Sequence, residues 1–146
     1  MPNNDNDGTT NIRIVDDYNL NSFVVHNNGK VTIGTENFDQ TNYRLYVKGG
    51  IKTEKIKVEF ANVNGWADYV FNKNYDLMSL NEVEKFINEN RHLPEIPSAQ
   101  EVVKNGVELK EMNVLLLKKV EELTLYVIEL NKKLKSLEET VKQKNK

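Results

Sequence analysis

Between Glu108 and Val141 the chain contains neither glycine nor proline, and its apolar residues recur in a fixed order. Leu109, Met112, Leu116, Val120, Leu123, Val127, Leu130, Leu134, Leu137 and Val141 are separated by steps of 3, 4, 4, 3, 4, 3, 4, 3 and 4. The first three steps make one eleven-residue repeat. The last six make three heptads with valine or leucine at position a and leucine at position d. A sustained 3.5-residue period with charged residues on the remaining faces specifies a coiled-coil helix. The eleven-residue stretch locally relaxes the left-handed supercoil. Residues 108–146 therefore read as a coiled-coil oligomerisation helix, roughly 50 Å long over its ladder, with a period that by itself suits two chains or three.

Such a helix cannot bury its stripe alone. Each leucine or valine is worth about 1.5–3 kcal/mol when fully buried. Leaving the whole ladder in water forfeits a sum comparable to the stability of a small domain. The upstream helical segments are too short to cover it, so the pattern predicts association of identical chains. Valine at a with leucine at d suits two strands. Val114, Leu115, Leu117, Leu125, Tyr126 and Ile128 widen the apolar face in the first half of the helix. That width suits three chains, and it also offers a surface on which the segment from Trp66 to Val103 folds back. The predicted interface is Leu109, Met112, Leu116, Val120, Leu123, Val127, Leu130, Leu134 and Leu137.

Upstream the pattern changes. Residues 1–11 are polar and read as a disordered lead-in. Residues 12–60 read as a β-hairpin shaft module. IRIV is followed by Asp16-Asp17, then SFVVH, the turn Asn27-Asn28-Gly29, and KVTIG. An Asn-Gly step between strand-forming runs is a hairpin signal. YRLYV, Lys48-Gly49-Gly50 and IKTEKIKV repeat the arrangement 21 residues on (50 − 29), predicting a second hairpin. Residues 61–107 read as an aromatic junction with two short helices. Trp66, Tyr69 and Phe71 are its predicted core plug. Ser79-x-x-Glu82 and Ser98-x-x-Glu101 are capping boxes that open the two helices. Pro94 and Pro97 separate them, and Gly106 closes the second. The fold class is α+β.

Composition excludes several chemistries. With no cysteine and two histidines far apart, His26 and His92, the chain lacks the usual materials of a thiol or histidine-rich metal centre. Asn3 to Gly8 imitates half a calcium loop, but position twelve is Ile14, where a bidentate glutamate is needed. Twenty lysines and arginines against 22 acids give a net charge of −2, which argues against nucleic acid. Lys118-Lys119 and Lys132-Lys133 read as solvated coil faces balanced by glutamates, and His92 as hydrogen-bonded within its turn. The carboxylate pairs Asp16-Asp17 and Asp68/Asp76 read as solvated turns. No phosphate loop, dinucleotide glycine pattern or nucleophile triad is present. The expectation is a non-enzyme with no catalytic residue, cofactor or metal. No apolar run spans a bilayer, and no signal peptide is visible.

The run GWADYVF through YDLMSLNEVEKFINENRHLPEIPSAQEVVKNGVELKEMNVLLLKKVEELTLYVIELNKKL resembles a C-terminal module of Bacteroidetes proteins described as tail-fibre-like. GKVTIGT and YRLYVKGGIKTEKI are similar to segments preceding the C-terminal domains of phage tail fibres and trimeric surface proteins. The resemblance covers about Asn28 to Leu137. It implies a homotrimeric, elongated β-rich shaft with a helical C-terminal cap. It also implies a virion, a contractile injection device or a cell surface as the location, with other fibre or particle proteins as partners. A receptor- or glycan-binding tip, formed by Glu36 to Asn42 or by the aromatic cluster, is the alternative. A trimerisation chaperone is another. Self-cleavage of the endosialidase type is not implied, because no serine here is followed by aspartate.

Overall fold

The structure is a computed structural model and describes residues 12–15, 21–35, 37, 39, 41–59 and 66–144. The Asn3–Gly8 segment, Asp16-Asp17 and parts of the Glu36–Asn42 loop lie outside the described residues. The architecture is α+β: a four-stranded sheet, then three α-helices, the last long. The chain divides into two units, one ending at Ile56 and one beginning at Lys57.

In the first unit, strands β1 (Ile12–Val15), β2 (Asn21–Val25), β3 (Val31–Ile33) and β4 (Leu45–Val47) lie side by side in that order. β1, β2 and β3 pair antiparallel. The β2–β3 hairpin turns where the Asn28-Gly29 step predicts. His26 N donates to Lys30 O at 2.8 Å, and Gly29 N to His26 O at 2.9 Å. Gly29 has φ +79°, and the Arg44 guanidinium crosses it to donate to Asn28 O at 3.0 Å. A Cβ there would sit 2.8 Å from the tip of that guanidinium, which a flexible arginine can relieve by shifting, so it is the left-handed backbone that calls for glycine.

The second hairpin does not form. β4 pairs with β3 in parallel, Val31 N donating to Arg44 O and Lys48 N to Ile33 O. Lys30 fastens the crossover that makes this possible. Its Nζ donates to the carbonyls of Asp39 and Thr41 and to the Tyr46 hydroxyl. Asp39 in turn accepts from Tyr46 at 2.8 Å and from the Thr41 amide at 2.9 Å. IKTEKIKV forms no strand, and residues 51–59 are exposed throughout. An isolated two-stranded ribbon is marginal in water without a third surface to cover it.

In the second unit, a 3-10 helix (Ala67–Phe71) precedes α1 (Leu80–Asn90), α2 (Ala99–Asn105) and α3 (Leu109–Lys144). Both capping boxes form as the sequence predicts. Glu82 N donates to Ser79 Oγ while Ser79 N donates to Glu82 Oε2 at 2.9 Å. Ser98 and Glu101 repeat the exchange. The cap bonds hold both carboxyls below the usual carboxylate range. His92 Nδ1 lies 3.0 Å from Leu93 O, within the turn that carries the buried Pro94.

The predicted plug of Trp66, Tyr69 and Phe71 is not met within one chain. All three rings are exposed, and the buried residues of this segment are Ala67 and Val70. A 3-10 helix repeats every three residues, so Ala67 and Val70 share one face and the rings fall on the others. Among the described residues, Val24, Ala67 and Val70 are the fully buried apolar side chains.

α2 ends at Gly106 with φ 74° and ψ −171°, a region open essentially only to glycine. A methyl group added at this position would meet nothing within 4 Å, so backbone strain is the whole cost of substitution. Gly106→Ala is expected to destabilise the protein by about 1–3 kcal/mol in denaturant unfolding. An unchanged midpoint would show that the α2–α3 connection is not held in this conformation.

Candidate assembly interface

The two sides of α3 have different environments. On one side, Leu109, Leu116, Val120, Leu123, Val127, Leu130, Leu134 and Leu137 are each 48–63% exposed. Met112 is partly covered. The ladder thus runs along the helix without cover from its own chain. Up to Tyr126 the opposite side is occupied, whereas from Val127 to Lys144 the helix is exposed all round. Lys118 lies about 200° round the helix from Leu116 at 100° per residue. It is only 8% exposed, as is Glu121. The 3-10 helix packs against this side of α3.

What holds the covering segment in place is an ionic cluster that no sequence pattern marks. Lys118 and Lys119, read from the sequence as solvated, are not. Lys118 Nζ pairs with Glu95 Oε1 at 2.5 Å and lies 3.9 Å from Glu122 Oε1. Lys119 Nζ bridges Glu95 Oε2 at 2.9 Å and Glu122 Oε2 at 2.8 Å. Tyr75 donates its hydroxyl to Glu122, and Tyr126 donates to Met78 O at 2.5 Å. Lys118 also stands 5.7 Å from the centre of the Tyr69 ring and 5.9 Å from that of Tyr75, within cation–π range. Tyr69, although its ring is partly in water, therefore belongs to this contact.

Glu95 reaches both lysines from a left-handed backbone, φ 66°, just after Pro94. That conformation is uncommon for a non-glycine residue and is offset here by two charge-assisted contacts. Burial pushes the Glu95 carboxyl up, but the hydrogen bonds from Lys118 and Lys119 outweigh it and hold it below its ordinary value. Burial depresses the Lys119 ammonium, but Glu122 and Glu95 more than compensate and raise it. Burial and the bond to Glu122 push the Tyr75 phenol well above its usual value.

Beside the ladder this arrangement leaves a groove of about 810 Å³. Leu116, Val120 and Leu123 form one wall and Leu80, Val83 and Leu93 the other, with Lys119 and Glu122 also lining it. The apolar surface therefore continues from the ladder onto the neighbouring segment. Leu80, Leu93 and Ile87 remain exposed on that flank. Their part was hidden in the sequence, because the α1 stripe reads equally well as an internal contact.

Among the described residues, no group of three or more His, Asp or Glu side chains is placed to hold a metal ion. No helix among them is long and apolar enough to cross a membrane. No family model, curated protein or solved structure matches the chain.

Glu121 is the one discordant group on the covered side among the described residues. Its Oε2 is buried without a hydrogen-bond partner, and burial followed by the charge of Asp68 raises its pKa. A carboxyl raised on folding favours the folded state when protonated, so its penalty appears as pH climbs through the unfolded value to the folded one. Glu121→Gln is expected to raise the melting temperature at pH 7 by removing the buried charge, a gain that shrinks as pH falls toward 4. Glu95→Gln is expected to lower the melting temperature at pH 7. Its deficit closes at more acid pH, because a depressed carboxyl contributes stability only while it is ionised. Thermal melts of both variants across this range check the two opposite slopes.

Proposed function

We propose that this chain is a structural assembly protein that works as a homotrimer zipped through α3. It would serve as a fibre or tail-fibre-like component of a phage particle, a contractile injection device or a cell surface. The observation that carries the reading is the bare ladder. The chain folds its junction onto one side of α3 and leaves the regular apolar stripe on the other side in water. Half-burying eight leucines and valines is worth roughly 10 kcal/mol per chain, on the scale of a whole domain's stability. A surface of that value, with a heptad period, is matched most directly by the same surface on identical chains.

The groove favours three chains over two. A two-chain coil buries a narrow seam of a and d residues. Here the apolar arc extends from the ladder through Leu123 and Tyr126 to Leu80 and Leu93. A neighbour's helix can rest against both walls. The mechanism is registration: three helices of fixed period align the three chains and with them the β units upstream. The resemblance to tail-fibre-like C-terminal modules supports the same reading and suggests the particle or surface location. A role as a trimerisation chaperone without cleavage uses the same geometry.

A receptor- or glycan-binding tip is the second reading, favoured by the exposed rings of Trp66 and Phe71. Glycan-array binding that is lost on Trp66→Ala would support it, and an empty array would count against it.

The test of the main reading places charge in the seam. Leu123→Glu with Leu130→Glu is expected to give a monomeric or unfolded chain, seen as a drop in light-scattering mass toward 16.9 kDa or as lost helical circular dichroism. A double variant that keeps both the mass of the parent and its helix content would contradict the assignment of these residues.

A further inference from the structure

The charge of this chain is unevenly spread. Residues 131–146 hold six lysines and two glutamates, a net +4 (6 − 2) that leaves −6 (−2 − 4) on the chain before them. This end lies beyond the junction's cover, and residues 127–144 are exposed on every side. Lys118 and Lys119, in the covered half, direct their charge at Glu95 and Glu122. Further along α3, Lys133 Nζ pairs with Glu129 Oε1 at 2.6 Å, and Lys132 adds its field to the same carboxylate. Lys135, Lys142 and Lys144 form no ion pair among the described residues. At 100° per residue, Lys132, Lys135 and Lys142 lie about 110–190° round the helix from the centre of the ladder between Leu130 and Val141. They make a row roughly 15 Å long on the face that association through the ladder leaves in water.

We propose that this lysine row is a docking surface for an acidic polysaccharide. The helix dipole accounts for Lys142 and Lys144, in the last turn, but its effect does not reach Lys132, Lys133 and Lys135, about two turns further back. The inference rests on the self-association proposed above for its multiplicity. Three aligned helices gather twelve (3 × 4) positive charges at one end, a repulsion that a polyanion relieves. The side chains select the class of anion. Every basic residue of α3 is a lysine, a point charge without the planar fork that grips a phosphate or a guanine at two points. No aromatic ring follows Tyr126, so nucleobases have nothing to stack on. The apolar face that would enter a bilayer is the ladder, which association covers. A hydrated chain of carboxylates or sulfates needs none of these features. It needs a row of solvated cations, and repetition of that row on each copy multiplies the contact.

The test uses the full-length protein and fluorescence anisotropy at about 150 mM salt. The probes are labelled polygalacturonate and dextran sulfate, beside neutral dextran and a thymidine oligonucleotide. Lysine and glutamine have similar helix propensities, so Lys132→Gln, Lys135→Gln, Lys142→Gln and Lys144→Gln together are expected to leave helix content and mass unchanged. Both acidic polysaccharides are expected to bind the parent protein, and the quadruple variant to bind them at least roughly ten-fold more weakly. Raising the salt to about 400 mM is expected to weaken the parent's binding about ten-fold. Equal binding by parent and variant, equal binding of neutral dextran, or no binding of either acidic polysaccharide would each overturn the proposal. Tighter binding of the oligonucleotide than of polygalacturonate would overturn the class of ligand. Sedimentation of the same samples keeps this inference apart from the one beneath it. A species of three-chain mass that binds neither acidic polysaccharide would overturn the lysine row and leave association through α3 standing. A one-chain species that binds them would keep the row and overturn the association.

Discussion

An apolar stripe of fixed period, on a helix whose other side is already taken over its first half, is the constraint from which the rest of the molecule follows. α3 is amphipathic in a divided sense. One side is apolar, regular and bare. The other mixes lysines and glutamates with Val114, Leu115 and Leu125, and is covered by the chain's own junction. The bare side would be costly in a solitary molecule, because few other residues are positioned to compensate. Among the described residues the fully buried apolar set is three side chains. The proposed trimer would add the shared surface that so small an interior lacks.

The ionic cluster explains how the two sides stay distinct. Glu95, presented by a left-handed turn after Pro94, draws Lys118 and Lys119 away from solvent and toward Glu122 and Tyr75. That clamp seats the segment between α1 and α2 beside α3 and shapes the groove next to the ladder. The long-range feature, a bare apolar stripe with a groove along it, thus depends on a short-range one. Buried and half-buried ion pairs stabilise little by themselves but are costly to leave half-made, so they fix geometry more than they add free energy.

Local features were legible in the sequence and tertiary ones were not. The bounds of α1 and α2 could be read because a capping box is complete within four residues, as at Ser79–Glu82 and Ser98–Glu101. The ladder could be read because its period is a property of one helix. The first hairpin could be read from Asn28-Gly29. The parallel pairing of β4 could not, because it depends on Lys30 reaching the carbonyls of Asp39 and Thr41 across a crossover. The repeat of the hairpin pattern around Lys48-Gly49-Gly50 suggested a second turn that the chain has no surface to support. Ring size pointed to Trp66, Tyr69 and Phe71 as the plug, whereas the three-residue period of the 3-10 helix turns Ala67 and Val70 inward. The burial of Lys118 depends on the backbone at Glu95, which no side-chain pattern announces.

The proposed assembly turns on identical chains meeting through α3. The most direct test is the absolute mass of the unmodified protein, by sedimentation equilibrium across a dilution series. The expected result is a single species at three times 16.9 kDa that dissociates only together with loss of helix. A well-folded species at the mass of one chain, with full helical signal at every concentration, would contradict it.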